Sequence, residues 1–423
     1  MTPPADNECD VLRQLKQSPR IFELLDQAAE GELPLQQRLR LEFPDAVVRT
    51  ALTLHDLRQR ARKKFSRAEA MWFDRQGLEQ ATSEPVARHK AKRFQQPVSD
   101  YCCGIGGDSI ALADHCEVTA VDRNPAAILY TGWNAEVYGV ESRVRLLCAD
   151  VEELTASTDL VHIDPDRRPH GRGRMVRVED SEPGLEYLRK LTQEFHGGAI
   201  KLSPAGNFAG KFDAVEYELI SLDGECKEAT VWFGSLAAAG LWRATVLPSG
   251  ASLAGDPMDA VAEVGPLGRY LFDPDPAIVR SGLLNVLCER TGFTRLDDAE
   301  EYLTADRKVT SPFVRGFEVL AELPNNERAI RDYFRNADFG PIEIKCRRIP
   351  INADFVRRRL SLKGNTPAVL VFARVLGKAR AIVCSRVVYL PPRNSIAVSE
   401  DSAEGGFAPH PNPPPQGGEG IRD

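Results

Sequence analysis

The spacing of apolar residues divides this 423-residue chain into regions of different structure. In residues 1–95 the apolar side chains recur at helical spacing, and Leu12, Leu15 and Ile21 are examples. This spacing predicts an N-terminal helical domain. From residue 96 to about 255, short apolar runs alternate with helical patterns, which is typical of a Rossmann-like α/β sheet.

Three strand-like runs close the α/β region with no helical pattern between them. They are residues 216–222, 229–233 and 243–247. Successive strands that lack a connecting helix pair antiparallel. We therefore expect a parallel sheet that is completed by antiparallel strands.

The last third of the chain contains two further patterns and a tail. Residues 256–335 combine acidic side chains with helical spacing and predict an acidic helical linker. Residues 336–392 contain short alternating runs around one helical segment and predict a small, basic α+β domain. Residues 393–423 are polar and rich in Pro and Gly, a composition that predicts disorder.

Charge is unevenly distributed along the chain, although its formal net value is only −7. Residues 340–392 contain eleven Lys and Arg against two acids, whereas residues 205–306 contain seven against seventeen. Residues 54–94 are also basic, with Lys63 and Lys64 at their centre. An acidic body with basic segments indicates a local contact with a polyanion such as RNA. The alternative for residues 54–94 is a solvated helix face.

Cysteine usage and hydropathy narrow the class of protein. The nine cysteines form no Cys-x-x-Cys pair, so we expect neither a metal site nor a disulfide framework. This suits a reducing cytoplasm. No run approaches the roughly 18 apolar residues of a membrane helix, and the first residues lack the pattern of a signal peptide. We therefore expect a cytoplasmic protein with no membrane partner; its oligomeric state stays open.

A glycine-rich turn follows the first predicted strand of the α/β region. It reads D-Y-C-C-G-I-G-G-D at residues 100–108. Gly104, Gly106 and Gly107 allow the backbone to approach a ligand that would clash with any Cβ atom. About 20 residues after the first glycine, Asp122 ends the second strand, the usual place of an acid that binds a ribose. The spacing predicts a nucleoside cofactor.

Each of the first four predicted strands has an aspartate at or just after its end. Asp100, at the first, would repel a pyrophosphate but attract an ammonium group. Asp150, after the third strand, could accept a hydrogen bond from an adenine amine. Asp164 follows the fourth strand. The neighbouring positions Cys102, Arg123 and Val151 complete the predicted cofactor site.

With these motifs the chain resembles a bacterial family of class I S-adenosylmethionine-dependent methyltransferases with a C-terminal THUMP-like domain. The resemblance rests on the turn at residues 100–108, on D-P-x-R-R at 164–168 and on K-L-S-P at 201–204. It covers about residues 50–392. The glycine turn is also similar to that of RNA methyltransferases such as trimethylguanosine synthase.

The resemblance implies S-adenosylmethionine as cofactor and suggests RNA as substrate. Asp164 would then lie beside the transferred methyl group and orient or deprotonate the acceptor. Arginines near it and in the C-terminal domain would bind phosphate; they are Arg167, Arg168, Arg172, Arg174, Arg347 and Arg348. The alternative is that the first four pair with Asp166 or Glu179 and only stabilise their loop. Amino-directed members usually carry an aromatic residue where this chain has Arg167.

Four residues suggest a ribose hydroxyl as the acceptor. Lys92 precedes the first strand, and Asp164 follows the fourth. Lys201 ends the fifth, and Glu228 begins a later one. This order is similar to that of ribose 2′-O-methyltransferases, in which a lysine of lowered pKa takes the hydroxyl proton. The alternative is a structural ion pair between Lys201 and Glu228.

Two other functions are compatible with the sequence. The protein could methylate a small molecule or another protein, or it could bind RNA without catalysis on a vestigial cofactor fold. The intact glycines, Asp122 and Asp164 argue against the second of these. The sequence identifies neither the RNA nor the modified nucleotide.

Overall fold

The computed structural model describes residues 5–27, 32–166 and 177–387. Within residues 5–95 the described elements are all helices. They are α1 (Ala5–Lys16), α2 (Arg20–Asp26), α3 (Glu32–Glu42), α4 (Asp45–Ala61), α5 (Arg75–Gln80) and α6 (Glu84–Ala91). Their hydrophobic core continues into the next domain, since Ile105, Ala126 and Tyr130 pack in it. This shared core fixes the helices against the glycine-rich turn.

A nine-stranded sheet follows, with the order β3-β2-β1-β4-β5-β7-β6-β8-β9. Its strands are β1 (Val98–Tyr101), β2 (Val118–Asp122), β3 (Val144–Cys148), β4 (Leu160–Ile163), β5 (Gly197–Leu202), β6 (Glu216–Leu222), β7 (Glu225–Gly234), β8 (Trp242–Leu247) and β9 (Ala251–Gly255). Between them lie α7 (Gly107–Ala113), α8 (Pro125–Tyr138) and α9 (Leu185–Glu194). The first five strands are parallel, which confirms the Rossmann-like α/β class.

The end of this sheet differs in one pairing from the prediction. β7 is antiparallel to both β5 and β6, as expected. β8, however, is parallel to β6. The expectation that all three late runs pair antiparallel is therefore wrong for β8, because the connection at residues 235–241 returns the chain to the starting end of β6 rather than reversing beside β7.

The remaining strands form a seven-stranded sheet with the order β11-β12-β10-β13-β16-β15-β14. They are β10 (Tyr270–Pro274), β11 (Thr294–Arg295), β12 (Leu303–Ala305), β13 (Val314–Pro324), β14 (Phe339–Cys346), β15 (Thr366–Val375) and β16 (Lys378–Arg386). Their helices are α10 (Pro276–Arg280), α11 (Leu284–Thr291), α12 (Glu327–Arg335) and α13 (Ala353–Arg359). The C-terminal domain is thus α+β, as predicted.

Residues 256–335 are not a helical linker, in contrast to the expectation. They contribute four strands to this sheet, of which β13 pairs with both β10 and β16. The acidic residues hid these strands because they occupy the outer positions, while Leu271, Phe272 and Phe317 are buried. The predicted disordered tail, residues 393–423, lies outside the described residues. Within the described ranges, no helix combines the length and apolar character that a bilayer crossing requires.

Candidate active site

The carboxyl ends of β1–β4 open into a cavity of about 300 Å³ beneath the N-terminal helices. Nine of the ten predicted cofactor residues line it: Asp100, Cys102, Gly104, Gly107, Asp122, Arg123, Asp150, Val151 and Asp164. The tenth, Gly106, shapes the turn instead. Its φ is +82°, and a Cβ atom there would meet Thr131 at 3.0 Å. Only glycine suits that backbone conformation.

Asp122 connects the glycine turn to the residue that precedes α8. Its Oδ2 accepts a hydrogen bond from the backbone N–H of Gly104 at 2.9 Å, and its Oδ1 accepts one from Asn124 at 2.8 Å. Burial raises the pKa of Asp122 from its usual value, while these two backbone donors act to lower it. A carboxylate oxygen has lone pairs left after one such bond, so Asp122 can still accept a bond from a ligand.

Asp100 lies below the turn rather than at its surface. It is 1% exposed, and its carboxylate accepts hydrogen bonds from the Ser109 hydroxyl and from His162 Nδ1. His162 Nε2 lies 3.2 Å from Lys90 Nζ. Because an ammonium group only donates, Nε2 is the acceptor and Nδ1 carries the proton. Asp100 therefore ends a buried hydrogen-bond chain, and its predicted role as an ammonium ligand stays a prediction.

A short segment separates the cavity from a second, larger space. Residues 80–82, named here the dividing segment, line both the cavity and a groove of about 1040 Å³. Lys64 Nζ donates to the carbonyls of Leu78, Glu79 and Ala81 at 2.6, 3.0 and 3.0 Å. These bonds satisfy carbonyls that the end of α5 leaves without helical partners. The segment is thereby held at the end of a short helix.

Lys201 and Asp164 meet at the edge of the dividing segment. Lys201 Nζ lies 2.5 Å from Asp164 Oδ2 and also donates to the Gln80 carbonyl at 3.2 Å. Asp164 lines the cavity, whereas Lys201 lines the groove. The Asp164 side chain is 22% exposed. This rim pair, Lys201 with Asp164, therefore stands where the two spaces meet.

A second lysine lies on the inner side of the segment. Lys90 Nζ contacts Asp108 Oδ1 at 2.9 Å and Glu228 Oε1 at 2.7 Å. The Thr82 hydroxyl donates to Asp108 Oδ2 at 2.6 Å. Lys90, Asp108 and Glu228, named here the buried cluster, have almost no solvent contact.

Electrostatics keep Lys90 and Asp108 of the buried cluster charged. Burial acts to lower the pKa of Lys90, but Asp108 and Glu228 outweigh it and raise the pKa above its ordinary value. Burial acts to raise the pKa of Asp108, but Lys90 leads the interactions that hold it well below the usual range. Each charge is thus stabilised by its partners rather than by water.

Sequence comparison supplies the family. Residues 314–386 match the family model described as THUMP domain-like, and residues 95–167 match that of RNA cap guanine-N2 methyltransferases. A Mycobacterium tuberculosis (strain H37Rv) protein, described as an uncharacterized S-adenosylmethionine-dependent methyltransferase, is 37% identical over 327 residues. The match covers 74% of this chain and 88% of the relative. The chain belongs to the S-adenosylmethionine-dependent methyltransferases.

Two further similarities agree with this family. Trimethylguanosine synthase of Schizosaccharomyces pombe is 37% identical over 94 residues, which cover 21% of this methyltransferase and 39% of the relative. A crystal structure of a proposed methyltransferase from Porphyromonas gingivalis W83 superposes with a TM-score of 0.73 at 18% identity. The superposition covers 90% of this chain and 99% of the chain in that crystal structure. This structural similarity shows the shared fold.

The cavity of this methyltransferase suits the charge of its cofactor. Ten carboxylate residues line it, whereas Arg123 is the single Lys or Arg among its described lining residues. Arg123 itself forms a bidentate pair with Glu182, at 3.1 and 2.9 Å. S-adenosylmethionine carries an ammonium and a sulfonium, so acidic walls stabilise it. Ribose binding by Asp122 and adenine binding by Asp150 stay predictions, and both residues line the cavity.

The six arginines predicted to bind the substrate fall into two groups. Arg167, Arg168, Arg172 and Arg174 lie outside the described residues. Arg347 contacts Asp273 at 2.7 Å and Glu301 at 2.9 Å, and Arg348 also pairs with Glu301. These pairs join β14 to β10 and to the segment before β12. Phosphate binding by Arg347 and Arg348 stays a prediction, and the Arg347 guanidinium is already engaged within the fold.

The four-residue set proposed for a ribose acceptor needs a correction. Lys92 is exposed at the end of α6, and the lysine that reaches Glu228 is Lys90. The suggested Lys201–Glu228 pair is also replaced, since Lys201 contacts Asp164. Sequence reasoning missed Lys90 although a signal exists. Lys90 lies on the same face of α6 as Val86 and Ala87, which are apolar and buried.

Proposed function

We propose that this methyltransferase transfers the methyl group of S-adenosylmethionine to RNA. The observation that carries the proposal is the match of residues 95–167, which hold most of the cofactor cavity, to RNA cap guanine-N2 methyltransferases. The similarity to trimethylguanosine synthase over 94 residues supports it. The THUMP-like match and the excess of Lys and Arg in residues 340–387 agree with an anionic substrate.

The rim pair is the proposed catalytic centre. When bound, S-adenosylmethionine supplies an electrophilic methyl group on a sulfonium, and the C–S electron pair stays on sulfur as the new bond to the acceptor forms. Asp164 accepts a hydrogen bond from the acceptor N–H or O–H and orients its lone pair. Lys201 Nζ lies 2.5 Å from the other oxygen of the carboxylate and holds it in position. The acceptor proton leaves through Asp164 to solvent.

The structure supports two reacting residues rather than four. Asp164 and Lys201 line the two spaces, whereas Lys90 is 1% exposed and cannot reach a substrate without rearrangement. A ribose hydroxyl stays our prediction for the acceptor, with Asp164 accepting its proton and Lys201 orienting Asp164. Lys90 and Glu228 then act through the position of the dividing segment.

The test is methyl transfer from tritium-labelled S-adenosylmethionine to total RNA of a bacterium that lacks the gene. We expect label in RNA with the wild type and none after RNase treatment or with Asp164→Asn. Mass spectrometry of the nucleosides then identifies the acceptor. A 2′-O-methyl nucleoside supports the ribose prediction, and a methylated base contradicts it. Label in protein or small molecules alone would overturn RNA as the substrate.

A further inference from the structure

The groove beyond the dividing segment has the opposite charge preference to the cofactor cavity. Five Lys and Arg residues line it: Lys63, Lys64, Lys201, Lys227 and Arg280. They come from the loop after α4, from β5, from β7 and from α10. Four acids also line it: Glu228 pairs with Lys90, which does not line the groove, and Glu225 pairs with Lys227, so that this second pair cancels within the groove. Glu79 and Asp223 are the other two.

The cations of the groove are close enough to act on one another. Burial, followed by the charges of Lys201 and Lys227, lowers the pKa of Lys64 to about 8. Two of the lysines are also accessible, because Lys63 and Lys227 are both exposed. Among the described residues, Lys63 has no ion pair. An anion in the groove would relieve the repulsion between these side chains.

Position links the groove to the reaction. The dividing segment lines both spaces, and the rim pair joins Lys201 on the groove side to Asp164 on the cavity side. A ligand in the groove therefore contacts Lys201, whose Nζ lies 2.5 Å from Asp164 Oδ2 on the cavity side. The volume of about 1040 Å³ lies at the upper end of the range for ligand sites.

We propose that this groove binds the phosphate backbone of a single-stranded RNA segment and delivers its acceptor nucleotide to the rim pair. The proposal rests on the proposed function. Lys63 and Lys227, the two exposed lysines of the groove, contact phosphates, and Lys64 contributes charge, since its three donors already bind carbonyls. The cofactor and the acceptor nucleotide then approach the rim pair from separate sides of the dividing segment.

The test compares two charge-reversal variants of the full chain. One is Lys63→Glu with Lys227→Glu in the groove. The matched control is Lys190→Glu on α9, where the lysine is exposed and pairs only with Glu194 at 3.4 Å. Fluorescence anisotropy with a labelled single-stranded oligoribonucleotide measures affinity over a range of salt concentrations. Calorimetry with S-adenosylmethionine reports on the cofactor cavity.

We expect the groove variant to bind the oligoribonucleotide at least about tenfold more weakly than wild type. Its salt slope should fall by about 1.4, for two lost single-strand phosphate contacts. Cofactor affinity should be unchanged in both variants, and KM for RNA should rise more than kcat falls. RNA affinity, slope and methylation equal to those of Lys190→Glu would overturn the groove while leaving the proposed function intact. Absence of RNA methylation by the wild type would overturn both.

Discussion

Two lysine sites beside the dividing segment look alike in sequence and differ in structure. The buried cluster surrounds Lys90 with two carboxylates and almost no solvent. The rim pair gives Lys201 one carboxylate, whose side chain is 22% exposed, whereas those of Asp108 and Glu228 are 10% and 3% exposed. The difference teaches that a lysine–carboxylate contact near an active site has no fixed meaning. The exposed fraction of the carboxylate side chain distinguishes a pair that can contact a ligand from a pair that only stabilises the fold.

The largest expected effect is on catalysis at the rim pair. Lys201→Ala should lower the rate of methyl transfer by about 10²- to 10⁴-fold, the usual range for a lost acid–base group. Single-turnover assays with RNA measure the rate, and calorimetry should show unchanged cofactor binding. Lys190→Ala provides the control. Near-normal turnover in Lys201→Ala would remove the distinction between the two lysine sites.

The buried cluster should respond in stability. Lys90→Met leaves Asp108 and Glu228 buried without a cation, so we expect a loss of about 3–5 kcal/mol in the free energy of unfolding. Urea denaturation measures it. A triple variant that adds Asp108→Asn and Glu228→Gln should recover part of the loss, because no buried charge is left uncompensated. If Lys90→Met unfolds at the wild-type urea concentration, the cluster does not stabilise the fold.

Asp122 tests the cofactor side of the segment. Asp122→Ala removes the acceptor for Gly104 and Asn124 and the predicted ribose contact, so S-adenosylmethionine binding should weaken by about 1.5–3 kcal/mol, or about 10- to 150-fold. Calorimetry measures the affinity. Binding of the oligoribonucleotide should be unaffected, since Asp122 does not line the groove. Equal loss of both ligands would show that the two spaces are not separate sites.

The smallest effect is a pH dependence of the buried cluster. Lys90 holds the pKa of Asp108 below its ordinary value, so this carboxylate stabilises the wild type above about pH 4. That contribution is lost only as the pH falls through the lower folded value. In Lys90→Met, burial should instead raise the pKa of Asp108, and its penalty is relieved on acidification. The stability gap between the two proteins should therefore narrow from pH 7 to pH 4, and a gap that widens would contradict the charge assignment.

Much of the cofactor site was predictable because it depends on short-range order. The glycine turn and the acids at strand ends are read directly from apolar runs and the residues that follow them, and nine predicted residues line the cavity. The sequence did not identify Lys90, because both Lys90 and Lys92 precede β1 and Lys92 was chosen. Two residues turn a helix by about 200°, so the two lysines point to opposite sides. Only packing against the sheet decides which one is buried.

Long-range pairing explains the other differences. β10 forms a strand because β12 and β13 lie on either side of it, and neither partner is near it in sequence. The direction of β8 depends likewise on the route of a connection rather than on its own residues. In residues 256–335 the clearest local strand signal is in β13, where Phe317, Val319, Ala321 and Leu323 alternate with polar or exposed positions; the interpretation of the whole segment as helical missed it.

The seven-stranded sheet has a consequence for how such proteins are divided and recombined. The THUMP-like match begins at residue 314, yet β13, which starts there, is an inner strand that pairs with β10 on one side. A fragment limited to residues 314–386 would present the β10-facing edge of β13 as a row of unpaired backbone groups, the usual template for intermolecular association. The unit that can fold independently and be exchanged between proteins is therefore longer than the matched stretch, because it includes β10.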